Sequence, residues 1–259
     1  MTELIFASLG LLTGGVLNVI ADRVPPLDPE ADGPFLTSHP RRLAWWEWLP
    51  VLSSLGALRA RRMVIANNRL RYPLLEAATA AAFVLAGAGP IAAATPASPP
   101  GVWQAAVVCA FSAALLTLAA VDMETKYLPY RLSIPALVLG LAVAPLWPRF
   151  DWWEGYVAAA VGFSFFYGIY WLGRRLDRPL MGDGDAFLAA AVGAVLGISL
   201  SLLGFYITAL LGGVAAFGVV IARAFGYKAR VIPYGPYLVA GGLISLFYGR
   251  TILDALMPG

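Results

Sequence analysis

The fold class the sequence predicts is all-α: a polytopic transmembrane helix bundle of about eight helices, with a cytoplasmic loop region between the first two. Composition is the first reason, because 60% of the 259 residues are hydrophobic and only 13% charged, far from the balance of a soluble domain. The mean hydropathy of +0.75 agrees. The second reason is that the apolar residues fall in uncharged runs near the ~20 residues a helix needs to cross a ~30 Å hydrocarbon core. The alternating segments of about ten residues that build a membrane barrel are missing. The single cysteine, Cys109, leaves no intrachain disulfide framework and no Cys-based zinc site.

Taken in order, the runs are Leu4–Ala21, Leu74–Ala94, Val102–Val121, Leu132–Trp147, Trp153–Leu172 and Tyr234–Tyr248. The first run is expected to be a retained span, because no basic segment precedes Leu4 and the first arginine follows the run. Between Ala186 and Ala222 no charge occurs. That stretch would be roughly 55 Å long as one helix, at about 1.5 Å per residue, so two spans are expected with a turn near Ser199–Gly204. Eight helices follow.

Lys and Arg then set the orientation. With the first helix running inward, the inside loops hold eight basic residues from Arg23 to Arg71, then Lys126 and Arg131, then Arg174, Arg175 and Arg178, then Arg223, Lys228 and Arg230. Only Arg149 and Arg250 fall outside. The net charge of +3 is therefore a topology signal, and nucleic acid is not expected as a partner. The bilayer is.

Three regions are expected: residues 1–21 as the first transmembrane helix, 22–71 as a cytoplasmic loop region, and 72–259 as the membrane-embedded core. The loop region is short for an independent core. Trp45, Trp46 and Trp48 suit a segment at the headgroup level, where indole rings are favoured. The uncharged, Ala- and Pro-rich stretch Ala92–Pro100 reads as an outside loop.

Charged side chains near membrane spans are costly enough to count as functional candidates. Two stand out: Asp122 at the cytoplasmic end of the third span and Asp185 at the cytoplasmic start of the sixth. Asp185 closes the run Met181-Gly182-Asp183-Gly184-Asp185, in which Gly182 and Gly184 let the backbone take positive φ or approach another chain closely. The plain alternative is that Asp183 or Asp185 caps the helix beginning there, and that Asp122 marks where the third helix leaves the membrane. As a pair they are more specific. Two carboxylates in a low-dielectric cleft tend to share one proton, so that one activates water against an amide carbonyl and the other protonates the leaving amine, the chemistry of aspartic proteases. Asn18 is expected to hydrogen-bond between helices, and Cys109 to be a small core residue. Glu76 admits three roles: a cap, a substrate-contacting acid or a methyltransferase residue.

Six stretches in order resemble the type IV prepilin leader peptidases, the GxGD-type aspartic proteases that process type IV prepilins and type II secretion pseudopilins. They are Gly10–Pro25, Leu43–Ser54, Arg71–Glu76, Val121–Pro135, Gly182–Gly197 and Ile232–Ala240. The resemblance implies Asp122 and Asp185 as the catalytic pair, with Gly182 and Gly184 supporting the second motif. It implies removal of a short basic leader at the cytoplasmic face of the bacterial inner membrane, with Gly before the cut and often Phe after it. It also implies a second activity, N-methylation of the new N-terminus with S-adenosylmethionine; no glycine-rich cofactor loop of the usual type accompanies it here. Proteolysis itself implies no cofactor. A transporter or an assembly factor without peptidase activity, using the same acids as a proton or cation site, is the reading from another class.

Three departures from the family pattern stand in this sequence. The loop region lacks the cysteine pairs many members carry, and His39 alone cannot hold zinc, so no metal is expected. Phe187 stands where a basic residue usually follows the second aspartate. Tyr130 stands where an acid or amide usually follows the Leu-Pro of the first motif.

Overall fold

In a computed structural model of the chain, the residues described are 2–23, 70–88, 101–147, 150–178, 181–225 and 233–256, and every regular element among them is helical. They are α1 (Thr2–Arg23), α2 (Arg71–Ala88), α3 (Val102–Thr125), α4 (Tyr130–Val143) with a 3₁₀ turn at Ala144–Leu146, α5 (Glu154–Arg175), α6 (Gly184–Ala224) and α7 (Gly235–Leu256). Helices α1, α3, α5, α6 and α7 are long and apolar enough to cross a membrane, while Tyr130–Leu146 is a shorter apolar helix. The chain divides into two compact units, Met1–Thr125 and Lys126–Gly259.

In the first unit α1 lies closely along α2, because the seam carries glycine at one-turn spacing. A Cβ on Gly10 would stand 2.5 Å from the Ala80 Cα, and one on Gly14 would stand 2.6 Å from the Glu76 Cα. In lipid there is little hydrophobic drive between helices, so backbone approach through small residues supplies the packing. One turn further on, the buried Asn18 donates from Nδ2 to the Tyr72 carbonyl at 3.2 Å. That is the interhelical bond expected of Asn18. Helix α3 completes the unit with a core of Val108, Phe111, Leu115 and Leu118, and Cys109 is buried among its apolar residues.

The second unit is organised around α6. The 41 residues of this helix are broken at Gly197, where φ is +71° and ψ −175°, a backbone state essentially reserved for glycine. The Phe150 ring occupies the space a side chain would need, its Cδ1 lying 2.8 Å from the position of a Cβ. On either side the two arms fold back on each other: Phe205 in the second arm meets Phe166 of α5 at 5.3 Å, and Gly162 of α5 faces both Phe205 and Ala189 of the first arm. The uncharged stretch is therefore not one straight helix but two arms, the break that its length led us to expect. The turn falls at Gly197 rather than within Ser199–Gly204, and the described residues hold seven α-helices, one of them broken.

Around the first arm pack α4 and α5, with Ala159, Ala190 and Ala194 forming a small-residue core under Leu137, Leu141 and Phe163. The second arm runs against α7, where the Ser245 hydroxyl donates to the Leu200 carbonyl at 2.5 Å and the Thr208 hydroxyl reaches the Tyr237 carbonyl at 3.3 Å. Helix α5 carries aromatic residues at both ends, as a membrane span does. Trp152, Trp153 and Tyr156 are exposed at one end, and at the other Trp171 lies under Arg175, 4.5 Å from its guanidinium. From Trp153 to Trp171 is roughly 27 Å along a helix, close to the thickness of a hydrocarbon core, with aromatic rings at both interfaces.

Several expected features lie outside the described residues. They are the loop region apart from its ends, including His39 and Trp45, Trp46 and Trp48, and the stretch Ala92–Pro100.

Candidate functional site

Asp122 sits in the last turn of α3 and is buried, 4% exposed. The helix continues through Thr125, so Asp122 lies inside a regular turn and not at the point where the chain leaves the helix. Beside it in sequence, the Glu124 carboxylate accepts from Nη1 of Arg71 at 2.5 Å, and both side chains are buried. Arg71 opens α2, at the positive end of that helix, and Glu124 closes α3, at its negative end. Each charge opposes its own helix dipole, so each needs the other. The pair ties the start of α2 to the end of α3, at the level where Asp122 is held. Arg71 also lies over the Tyr72 ring at 4.7 Å. Glu76, one turn into α2, is buried as well, with Gly14 of α1 abutting it.

In the second unit the run from Gly182 to Asp185 forms a tight turn into α6. Asp183 is the N-cap, and its Oδ1 accepts from the Gly184 N–H at 2.9 Å. This separates the two acids of the motif, since capping falls to Asp183 and leaves Asp185 in the first turn, 6% exposed, accepting from the Gly182 N–H at 3.1 Å. Gly182 and Gly184 serve different ends. Among the described residues the one glycine with positive φ is Gly197, so neither motif glycine is required for a left-handed backbone. Gly184 is required for close approach: a Cβ there would stand 2.6 Å from the Leu128 Cβ and 2.7 Å from its carbonyl oxygen. At Gly182 the nearest atom to such a Cβ is Asp185 Oδ2, at 3.4 Å.

The structure thus brings Gly182, Gly184 and Asp185 together in the second unit, while Asp122 and Glu76 belong to the first. It also assigns contacts to residues for which sequence gave no role. The Tyr130 hydroxyl donates to Asp183 Oδ2. Its ring meets Phe187 edge-on at 5.2 Å, and Phe187 meets Phe163 at 5.2 Å. The two departures from the family pattern within the aspartate motifs are therefore neighbours. Tyr234, the residue before α7, lies within electrostatic reach of Asp185 and 6.1 Å from the Phe166 ring. Its place in the Ile232–Ala240 landmark was the one available signal.

Among the described residues no group of three or more His, Cys, Asp or Glu side chains is placed to hold a metal ion. Glu76, the acid singled out for a methyltransferase role, is packed into the α1–α2 contact.

A model of the type IV leader peptidase family matches residues 109–217, a span that contains both Asp122 and Asp185. Over 275 residues the chain is 35% identical to a prepilin leader peptidase/N-methyltransferase of Burkholderia pseudomallei, an alignment covering 93% of this chain and 84% of that protein. A protein of the same description from Pseudomonas putida is 30% identical, covering 96% of this chain and 91% of its own length. One from Xanthomonas campestris pv. campestris is 28% identical, with 97% and 93% covered. No solved structure matches the chain.

Proposed function

The chain belongs to the type IV leader peptidase family, and from that premise we propose that it cuts the short basic leader of prepilins or pseudopilins with Asp122 and Asp185 as its two acids. It is a multi-pass membrane peptidase. The single observation that supports this use of the acids is their burial. Each matched motif holds one carboxylate withdrawn from solvent within the last or first turn of an apolar helix, where an acid without a task is costly.

The helix ends suggest how the labour divides. Asp185 stands at the positive end of α6 and accepts a backbone N–H, which suits a negatively charged carboxylate that draws a proton from water. Asp122 stands at the negative end of α3, which suits the partner that gives a proton up. In the proposed reaction the water oxygen attacks the scissile carbonyl as Asp185 takes its proton. Asp122 gives its proton to the amide nitrogen, and the C–N bond breaks to leave a free amine and a carboxylic acid, with the water's proton now on Asp185.

In this reading both acids work at the cytoplasmic face of the inner membrane, which the positions of the basic residues support, on a substrate whose leader is basic and whose following segment is apolar. N-methylation of the new terminus is proposed from the description shared by the relatives. The experiment is direct: the purified protein in detergent is given a prepilin from its own genome, with and without isotopically labelled S-adenosylmethionine. Cleavage after the leader glycine, followed by label on the new N-terminus, is the expected result. Intact prepilin would leave the transporter or assembly reading in its place.

A further inference from the structure

The turn that presents Asp185 is held from one side by the segment Leu128–Tyr130. Gly184 lies against the Leu128 backbone with no room for a side chain. Two residues on, the Tyr130 hydroxyl donates to Asp183 Oδ2, while the other oxygen of Asp183 caps the helix at Gly184. The Tyr130 ring presses edge-on against Phe187, two residues past Asp185, and Phe187 rests in turn on Phe163. Asp185 therefore sits between two points, Asp183 and Phe187, that one tyrosine touches at once. Pro129 precedes that tyrosine with its φ fixed, so the anchor is stiff.

We propose that Tyr130 is a positioning residue for Asp185, its hydroxyl and ring together clamping the Gly182–Phe187 turn so that the carboxylate meets water and substrate in one orientation. The inference rests on the reading of Asp185 as a catalytic acid. It gives Asp183 a purpose beyond capping, because the carboxylate is shared between the helix end and Tyr130. It also accounts for Phe187 and Tyr130 occurring in the same chain, since the two rings meet edge to face.

The test uses the full-length protein in proteoliposomes, a synthetic prepilin with a basic leader, and separate measurement of kcat and KM alongside thermal unfolding. Tyr130→Phe keeps the ring and deletes the clamp's hydrogen bond. It should lower kcat about tenfold, with KM within about twofold and unfolding little changed, because small misplacements of a catalytic group are expensive. Asp183→Ala should do at least as much, and the double variant no more than Asp183→Ala alone, since both remove the same bond. Asp183→Asn keeps an oxygen for the cap and an amide that can donate to the phenol oxygen, and should return kcat to within about threefold of the parent. A Tyr130→Phe enzyme with kcat within twofold of the parent would overturn the proposal, as would effects that multiply in the double variant or a rise in KM at unchanged kcat. Asp185→Asn is run in parallel. Activity in that variant refutes the catalytic reading itself, whereas its silence beside a fully active Tyr130→Phe refutes the clamp alone.

Discussion

Replacing Gly184 by alanine adds one methyl group at the tightest point of the second motif. That Cβ would lie 2.6 Å from the Leu128 Cβ and 2.7 Å from the Leu128 carbonyl oxygen, where carbon contacts normally settle at about 3.5–4.0 Å. Relief needs roughly 1 Å of movement. It cannot come from swinging a side chain aside, because the obstacles are a Cβ and a backbone oxygen in a segment pinned by Pro129 and Tyr130. The start of α6 must shift, and Asp185 with it. Overpacking of this kind costs about 1–3 kcal/mol of stability, while a displacement of about 1 Å in a catalytic group costs about 100-fold in rate. Gly184→Ala is therefore expected to fold and insert, to unfold a few degrees lower, and to cleave a synthetic prepilin about 100-fold more slowly. Gly182→Ala, whose new methyl meets only Asp185 Oδ2 at an ordinary 3.4 Å, is expected to be far milder. Near-parental kcat in Gly184→Ala, or equal losses in the two variants, would refute the reasoning from close approach.

Arg71→Leu should destabilise the first unit by about 3–5 kcal/mol by leaving the Glu124 carboxylate buried without its ion-pair partner, and Arg71→Leu/Glu124→Leu should recover most of that loss; thermal unfolding in detergent reads both. Gly197→Ala should cost about 1–3 kcal/mol for its backbone state alone, with the contact against Phe150 in addition, and is read the same way. Cleavage should be indifferent to strong zinc chelators, because the loop region carries no cysteine. Loss of activity on chelation and its return with zinc alone would contradict this.

What could be read from sequence was the part governed by period and charge. An uncharged stretch too long for one crossing demanded a break, and α6 has one. Its position is not legible, because Gly193, Gly197 and Gly204 are alike in sequence and the Phe150 ring that abuts the middle one lies 47 residues upstream of it. Asn18 was legible because an amide in a lipid-facing helix must find a partner. The Arg71–Glu124 pair and the bond between Tyr130 and Asp183 each join residues 53 positions apart, and no local pattern announces them. The motif glycines were legible as a pair but not in their separate duties, since positive φ and close approach leave the same letter in the sequence. In sequence Tyr130 and Phe187 are two separate departures from the family pattern, and only the fold puts their rings in contact.

The most direct measurement is the cleavage rate of Asp122→Asn and Asp185→Asn, each made singly in the full-length protein and assayed in membranes against a prepilin from the same genome. An amide neither accepts the water's proton nor supplies one near neutral pH. Each variant is therefore expected to insert and accumulate like the parent while leaving the prepilin uncut. Near-normal turnover by either one would contradict the assignment of the two acids.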